Sequence, residues 1–389
     1  MKYLGKEQGL GPFRFVSEML LDRSGKVWVG TDSGTVYAVH EKSGSIERLH
    51  VADGNFTIIN NMYEDKYGQL WFGSQRNSSA MLNTSRGRPN NITTANGLSN
   101  NAIWTVHESA SGNIWLGTVD GVDLISPTEK AIRHIGKEQG LHHERTTTLL
   151  EDQQGQVWCF GNQFGISIID PKNKRIKYLG KAQGLPSNEV TVLFEEKNGL
   201  IWMGSGGGEI FTVDPTNMII KKITNIPDFA SFYMNTFKLD NSGQLWVSNL
   251  GGGVLVIDAK RETMRRLNME HGLTSNESSC FLKDKKGNMW VGGKKGLDMV
   301  DLEQNTITSF TPREGLAAED IYTLDELNGR FYVGTSKGLT LLSPSSKGWM
   351  AASYGKEQGL GAVDFAENSS LLHSNGQYWA GVEEQVLLI

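Results

Sequence analysis

The residues best suited to chemistry stand in short loops. His142, His143, Glu144 and Arg145 follow one Gly-Leu corner and bring two imidazoles, a carboxylate and a guanidinium into four positions. Adjacent histidines in an extended loop point in different directions, so the pair lacks the third group that a joint metal site needs. The pattern fits ligand contact, or an acid/base pair in which a His works beside a substrate. Gln75, Arg76, Gln163, Phe164, Lys294, Lys295, Glu383 and Glu384 occupy a second set of loops, and Phe229, Phe232 and Tyr233 a corner rich in aromatics. Aromatic faces beside polar groups suit a sugar, which stacks its apolar face and hydrogen-bonds through its hydroxyls. No Ser-His-Asp order and no metal-ligand spacing accompanies these residues. Asp-x-x-Gly recurs at Asp22, Asp65, Asp152, Asp240 and Asp284. Each copy offers a single carboxylate in a loop too short for an EF-hand, and reads as a turn. GSGGGEI at 204–210 resembles a phosphate loop but lacks its Lys-Ser/Thr ending and a following helix, so it also reads as a turn.

The elements that must carry these loops are announced by a repeat. Residues 97–127, GLSNNAIWTVHESASGNIWLGTVDGVDLISP, hold a Gly-Leu corner, an alternating run, a tight turn at Gly112, a second run around Trp115, and a third run after Gly121. Trp115 recurs as Trp28, Trp71, Trp158, Trp202, Trp246, Trp290 and Trp379, with Tyr332 filling the one gap. The spacings are 43, 44, 43, 44, 44, 44, 42 and 47 residues. Strand-like patterning inside units of this length signals a β-propeller. Each unit divides into four strands, a to d, with the Trp on b and packed between adjacent blades. The corner between d and the next a, and the loop between b and c, emerge on one face, where ligands dock. Within 97–127 that leaves Ser99 to Asn101 and Val119 to Asp120 as functional positions.

The ends extend this reading. KYLGKEQGL at the start matches RIKYLGKAQGL at 175–185, which makes residues 2–4 a strand d. QVLLI at the end aligns with strand c. Pairing the two closes a ring without exposed edges. The expectation is a single all-β propeller domain over residues 1–389, of nine four-stranded blades, with eight blades as the alternative.

Composition bounds the rest. The net charge of -5 without a basic block gives no support to a nucleic-acid partner, and no 18-residue apolar run predicts membrane insertion. Met1 runs directly into repeat sequence, so no signal peptide is expected in this chain. Cys159, next to Trp158, reads as a buried free thiol. With Cys280 it neither requires nor excludes an oxidising compartment. No cofactor or metal is expected.

The order Gly-Leu-x-x-Asn, then Asp-x-x-Gly-x-hydrophobic-Trp-hydrophobic-Gly, resembles the two-component regulator propeller repeat. Besides 97–127, the match is carried by GLPSNEVTVLFEEKNGLIWMGSGGGEIFTVDP and GLTSNESSCFLKDKKGNMWVGGKKGLDMVD. The resemblance implies the extracytoplasmic sensor half of a hybrid histidine kinase, working in the periplasm or outside the cell, with a carbohydrate or a protein as partner and no catalytic residues. The family's second ring, sandwich domain, membrane helix and kinase are not in this chain. The expected function is a non-catalytic, sensor-like ligand- or protein-binding module. The alternatives are a propeller lyase or hydrolase with a His-based site at the channel mouth, and a structural or designed scaffold without a ligand.

Overall fold

A computed structural model describes residues 2–40, 43–50, 58–74, 79–83, 89–126, 132–161, 164–185, 187–223, 234–240, 242–249, 251–346, 348–358, 364–372, 376–383 and 385–389. The fold is an all-β propeller built of four-stranded antiparallel sheets. Among the described residues, eight sheets each use four consecutive strands. The third, for example, runs Ile103–Glu108, Ile114–Thr118, Gly121–Ile125 and Ile132–Ile135. A further sheet is composite: Phe365–Leu372, Tyr378–Val382 and Gln385–Leu388 take their fourth strand from Lys2–Leu4. Lys2 pairs with Leu388, Tyr3 with Leu387 and Leu4 with Val386, as the repeated KYLG sequence requires. Counted as blades continuous in the chain the number is eight, the alternative, rather than nine. Contacts divide the chain into two compact units, Leu20–Ser231, and Met1–Met19 with Phe232–Ile389. No helix among the described residues is long and apolar enough to cross a membrane.

The turn between strands a and b does more than reverse the chain. In the first sheet (Val16–Leu21, Val27–Thr31, Thr35–Val39, Ile46–His50), Asp22 Oδ1 accepts the backbone N–H groups of Ser24 and Lys26, both at 2.9 Å. Its Oδ2 accepts the indole N–H of Trp28 at 2.8 Å. Gly25 closes the turn at φ 83°, a left-handed conformation that a side chain resists. The same carboxylate–indole bond recurs from Asp65 to Trp71, Asp152 to Trp158, Asp240 to Trp246 and Asp284 to Trp290, at 2.7 to 3.0 Å, and Glu196 substitutes for Asp before Trp202. The acid therefore fixes the turn and satisfies the only polar atom on the buried anchor, which an apolar core cannot do. Where Ser109 replaces it, Trp115 Nε1 finds no acceptor among the described residues.

Neighbouring sheets are also bracketed in the region from Leu20 to Ser231. The Glu that ends strand a of one sheet accepts the first backbone N–H after the turn acid of the sheet before it, or after Ser109 where that stands in the acid's place. Glu64 accepts from Arg23 at 2.8 Å, Glu108 from Lys66 at 2.9 Å, Glu151 from Ala110 at 2.7 Å and Glu195 from Gln153 at 2.9 Å. Between sheets the core is apolar: Trp28 lies against Phe72, and Trp115 clusters with Val122, Ile135, Val157 and Ile169. Cys159 lies in that cluster as a buried free thiol, and burial pushes its ionisation far up.

Candidate functional site

The Gly-Leu corners hold single turns of 3-10 helix, such as Thr94–Asn96, Lys137–Gln139 and Lys181–Gln183. Each ends on a left-handed glycine: Gly97 at φ 106°, Gly140 at 101° and Gly184 at 102°. The side chain three residues on closes the turn from within, as Gln139 Oε1 accepts from Gly136 N at 2.8 Å. The Asn of Gly-Leu-x-x-Asn then ties the corner down. Asn101, Asn188 and Asn276 each accept at 2.8 Å from the first turn residue, Thr94, Lys181 and Met269. The motif is thus a corner brace, which returns most of the polar sequence there to structure.

Two buried acids that sequence reasoning did not single out hold the corners to strand c. Asp123 Oδ2 accepts the backbone N–H and the hydroxyl of Ser99, both at 2.9 Å, and its Oδ1 lies 3.1 Å from His134 Nδ1. Asp298 repeats the bond with Thr274 N and Oγ1 at 2.8 Å, and accepts Ser309 Oγ at 2.6 Å. Burial raises the pKa of both, against the lowering pull of these bonds. Ser167 and Thr340 make the same link with hydroxyls, to the backbone N–H of His142 at 3.3 Å and Ala317 at 2.9 Å. The signal was available: strand c begins GVD, GLD, GIS and GLT, a polar residue inside an apolar run. Ser99, Asp123 and His134 do not form a nucleophile array, because serine and imidazole both bond the carboxylate and not each other.

The His-His-Glu-Arg loop divides by direction. His143 is buried, with Nε2 3.0 Å from Thr146 Oγ1 and Nδ1 3.4 Å from Ser167 Oγ. Burial, then the neighbouring His142, brings its pKa down to about 4, so it is neutral at pH 7. His142 is exposed and stacks on Tyr178, with ring centroids 4.0 Å apart. Glu144, also exposed, pairs with Lys137 at 2.5 Å. The Arg145 guanidinium sits 5.0 Å from the ring of Trp104. Exposed Phe164 precedes Gly165, where a Cβ would come within 2.4 Å of the Leu179 carbonyl oxygen and 3.0 Å of the Tyr178 hydroxyl. His142 on Tyr178 and Arg145 on Trp104 are thus two ring contacts of the corner between the third and fourth sheets, the fourth being Thr148–Glu151, Val157–Phe160, Ile166–Asp170 and Arg175–Leu179; Tyr178 lies on strand d of the fourth, Trp104 on strand a of the third, and exposed Phe164 in the b–c loop of the fourth.

Lys294 belongs to a separate group, 5.9 Å from the Tyr322 ring; against burial, hydrogen bonds from Ser336 and Tyr322, and least strongly the Lys294 charge, hold the pKa of Asp320 down. Lys295 beside it is exposed. Burial, then Glu383 and Asp320, raises the pKa of Asp364 in the same group. Gln75, Arg76, Gln163, Phe229, Phe232, Tyr233 and Glu384 lie outside the described residues. Among the described residues no three His, Cys, Asp or Glu side chains converge as a metal site.

The family model of the two component regulator propeller matches residues 53–76, 97–120, 184–207 and 272–295. Among solved structures, the chain is similar to an extracellular domain described as that of a hybrid two-component system, BT4673 of B. thetaiotaomicron. The two are 17% identical with a TM-score of 0.47, over 98% of this chain and 59% of that one. The corresponding domain of BT3049 from the same organism is 19% identical with a TM-score of 0.46, over 95% and 56%. The chain thus spans less than two thirds of those domains. The computationally designed protein Ika8 is 14% identical with a TM-score of 0.56, over 83% and 94%. No curated protein matches the chain.

Proposed function

From the premise that this chain is built of two-component regulator propeller repeats, we propose that it is a sensor-like recognition module that binds a ligand or a protein without transforming it. One observation carries the reading: at the corner between the third and fourth sheets exposed His142 stacks on Tyr178 and exposed Arg145 lies over Trp104, while the neighbouring His143 and Glu144 are engaged by Thr146, Ser167 and Lys137. A flat ring beside a fixed cation offers stacking and hydrogen bonding together, which suits a carbohydrate, with a protein loop as the other candidate. Buried and neutral His143 is engaged by Thr146 and Ser167, which leaves a His-based lyase or hydrolase only His142 on this loop. The working compartment under this proposal is the periplasm or the cell exterior, and any signalling output belongs to parts beyond this chain.

The test is a glycan array followed by thermal melts of the isolated chain. A glycan that binds only the native state raises the melting temperature, by an amount that grows with its concentration. His142→Ala and Arg145→Ala, both exposed, are expected to abolish that rise while melting like the parent. Turnover of the glycan, or a rise that both variants retain, would overturn the proposal. A chain that answers to no glycan and no protein is the scaffold.

A further inference from the structure

The seventh sheet (Ser278–Lys283, Met289–Gly293, Leu297–Asp301, Thr306–Phe310) meets the eighth (Ile321–Leu327, Arg330–Thr335, Gly338–Ser345, Gly348–Tyr354) over Trp290. Three rings close on it: Phe310 stacked at 5.5 Å, Phe331 at 4.1 Å and Trp349 edge-on at 5.1 Å. Strand register identifies the matching positions around Trp115. Phe310 pairs with Leu297 as Ile135 pairs with Val122. Phe331 pairs with Leu342 as Val157 pairs with Ile169, and Ala351 with Leu342 as Ile176 with Ile169. Trp349, paired with Pro344, stands two residues before Ala351 on its strand, whereas the residue two before Ile176 is Lys174, a left-handed turn residue at φ 52° beyond the last pair, Asp170 with Arg175. Isoleucine and valine thus replace two aromatic rings, a turn stands where the third is carried, and of these positions the alanine alone is replaced by something larger.

The exchange leaves space. A cavity of about 240 Å³ lies against Trp115, walled by Leu124, Ile135, Ile169 and Ile176. The exposed cations Arg133 and Lys174 border it. Asp170 borders it too, but its carboxylate already accepts from the backbone N–H groups of Lys172 and Asn173 and from Asn173 Nδ2, at 2.7 to 3.0 Å. Apolar cavities of about 150 Å³ stay dry and take up a single benzene ring. One this size has room for a fused bicycle, and the seventh and eighth sheets show an indole seated at the equivalent place.

We propose that this cavity is a binding site for a planar aromatic carboxylate of indole size, its ring filling the place of the Trp349 side chain and its carboxylate meeting Lys174 and Arg133. The site is separate from the His142 loop, so it stands or falls independently of the recognition proposed there. The probe is indole-3-acetate, titrated into the folded chain by calorimetry. Saturable one-site binding at about 0.1 mM or tighter is expected for a ligand of this size.

Two variants locate the binding. Ile135→Phe restores the ring found at position 310 and is expected to weaken binding at least tenfold, with a melting temperature equal to or above the parent's. Lys174→Glu alters an exposed residue and is expected to weaken the acid about fivefold or more while leaving neutral indole unchanged. Absence of saturable binding overturns the proposal. So does unaltered affinity in a folded Ile135→Phe, or in Lys174→Glu, which decides the matter if Ile135→Phe does not fold.

Discussion

Asp152→Ala is expected to lower the stability of the chain by about 3 kcal/mol, as much as the loss of a large core side chain. Asp152 is 4% exposed and its carboxylate receives four hydrogen bonds: Gln154 N at 3.0 Å, Gln156 N at 2.8 Å, Gln156 Nε2 at 3.2 Å and Trp158 Nε1 at 2.7 Å. Water can replace it at Gln154, on the exposed side of the turn. At Gln156 and at fully buried Trp158 it cannot, and each orphaned donor costs about 1–3 kcal/mol. Asp152→Asn separates the two roles, since its remaining oxygen serves the turn while its amide cannot accept the indole N–H. Chemical denaturation should therefore rank parent, Asn, Ala in falling stability. An Ala variant within 1 kcal/mol of the parent would show that the indole bond contributes little. The reciprocal change is Ser109→Asp, which offers Trp115 Nε1 the acceptor it lacks and should raise stability by about 1 kcal/mol.

The acid and the indole were both visible in the sequence, but as separate facts. The Asp explained a turn and the Trp explained packing, and nothing in a spacing of six says that they touch. Only the hairpin bends the carboxylate back under strand b. The Glu64, Glu108, Glu151 and Glu195 brackets were less legible still, since each joins residues 41 or 42 apart in different sheets. What the sequence did carry was whatever repeats: anchors, turn glycines, and the terminal match that pairs Lys2–Leu4 with Gln385–Leu388. At the candidate site the divergent directions of two adjacent histidines were foreseeable, but their environments were not. His143 is buried because the backbone turns it toward Ser167 and Thr146, whereas His142 faces solvent. The cavity beside Trp115 could not be read at all, because it is a difference between two junctions seen only once strand register aligns Ile135 with Phe310 and Val157 with Phe331.

The pH response tests the burial of two groups whose effects oppose. Glu18 lies on strand Val16–Leu21, and burial raises its pKa from 4.5 to about 7. The folded chain holds a proton there that the unfolded chain releases, so stability falls as pH rises from about 4.5 to about 7 and levels off above. The loss is on the order of 3 kcal/mol. His143 works the other way. Its pKa is brought down to about 4, so the unfolded chain binds the proton first as pH falls below about 6.5, and stability rises with pH across that window. Each shift is of similar size, so these two contributions nearly cancel between about pH 4.5 and 6.5. Glu18→Gln, which keeps the shape of the protonated acid, removes one arm of the balance. Relative to the parent its stability should climb from about pH 4.5 to about 7 and exceed the parent's by about 3 kcal/mol at pH 8, while the two coincide near pH 4. Urea denaturation at pH 4, 6 and 8 distinguishes the outcomes, and equal midpoints for parent and variant at pH 8 would mean that Glu18 is ionised in the fold without cost.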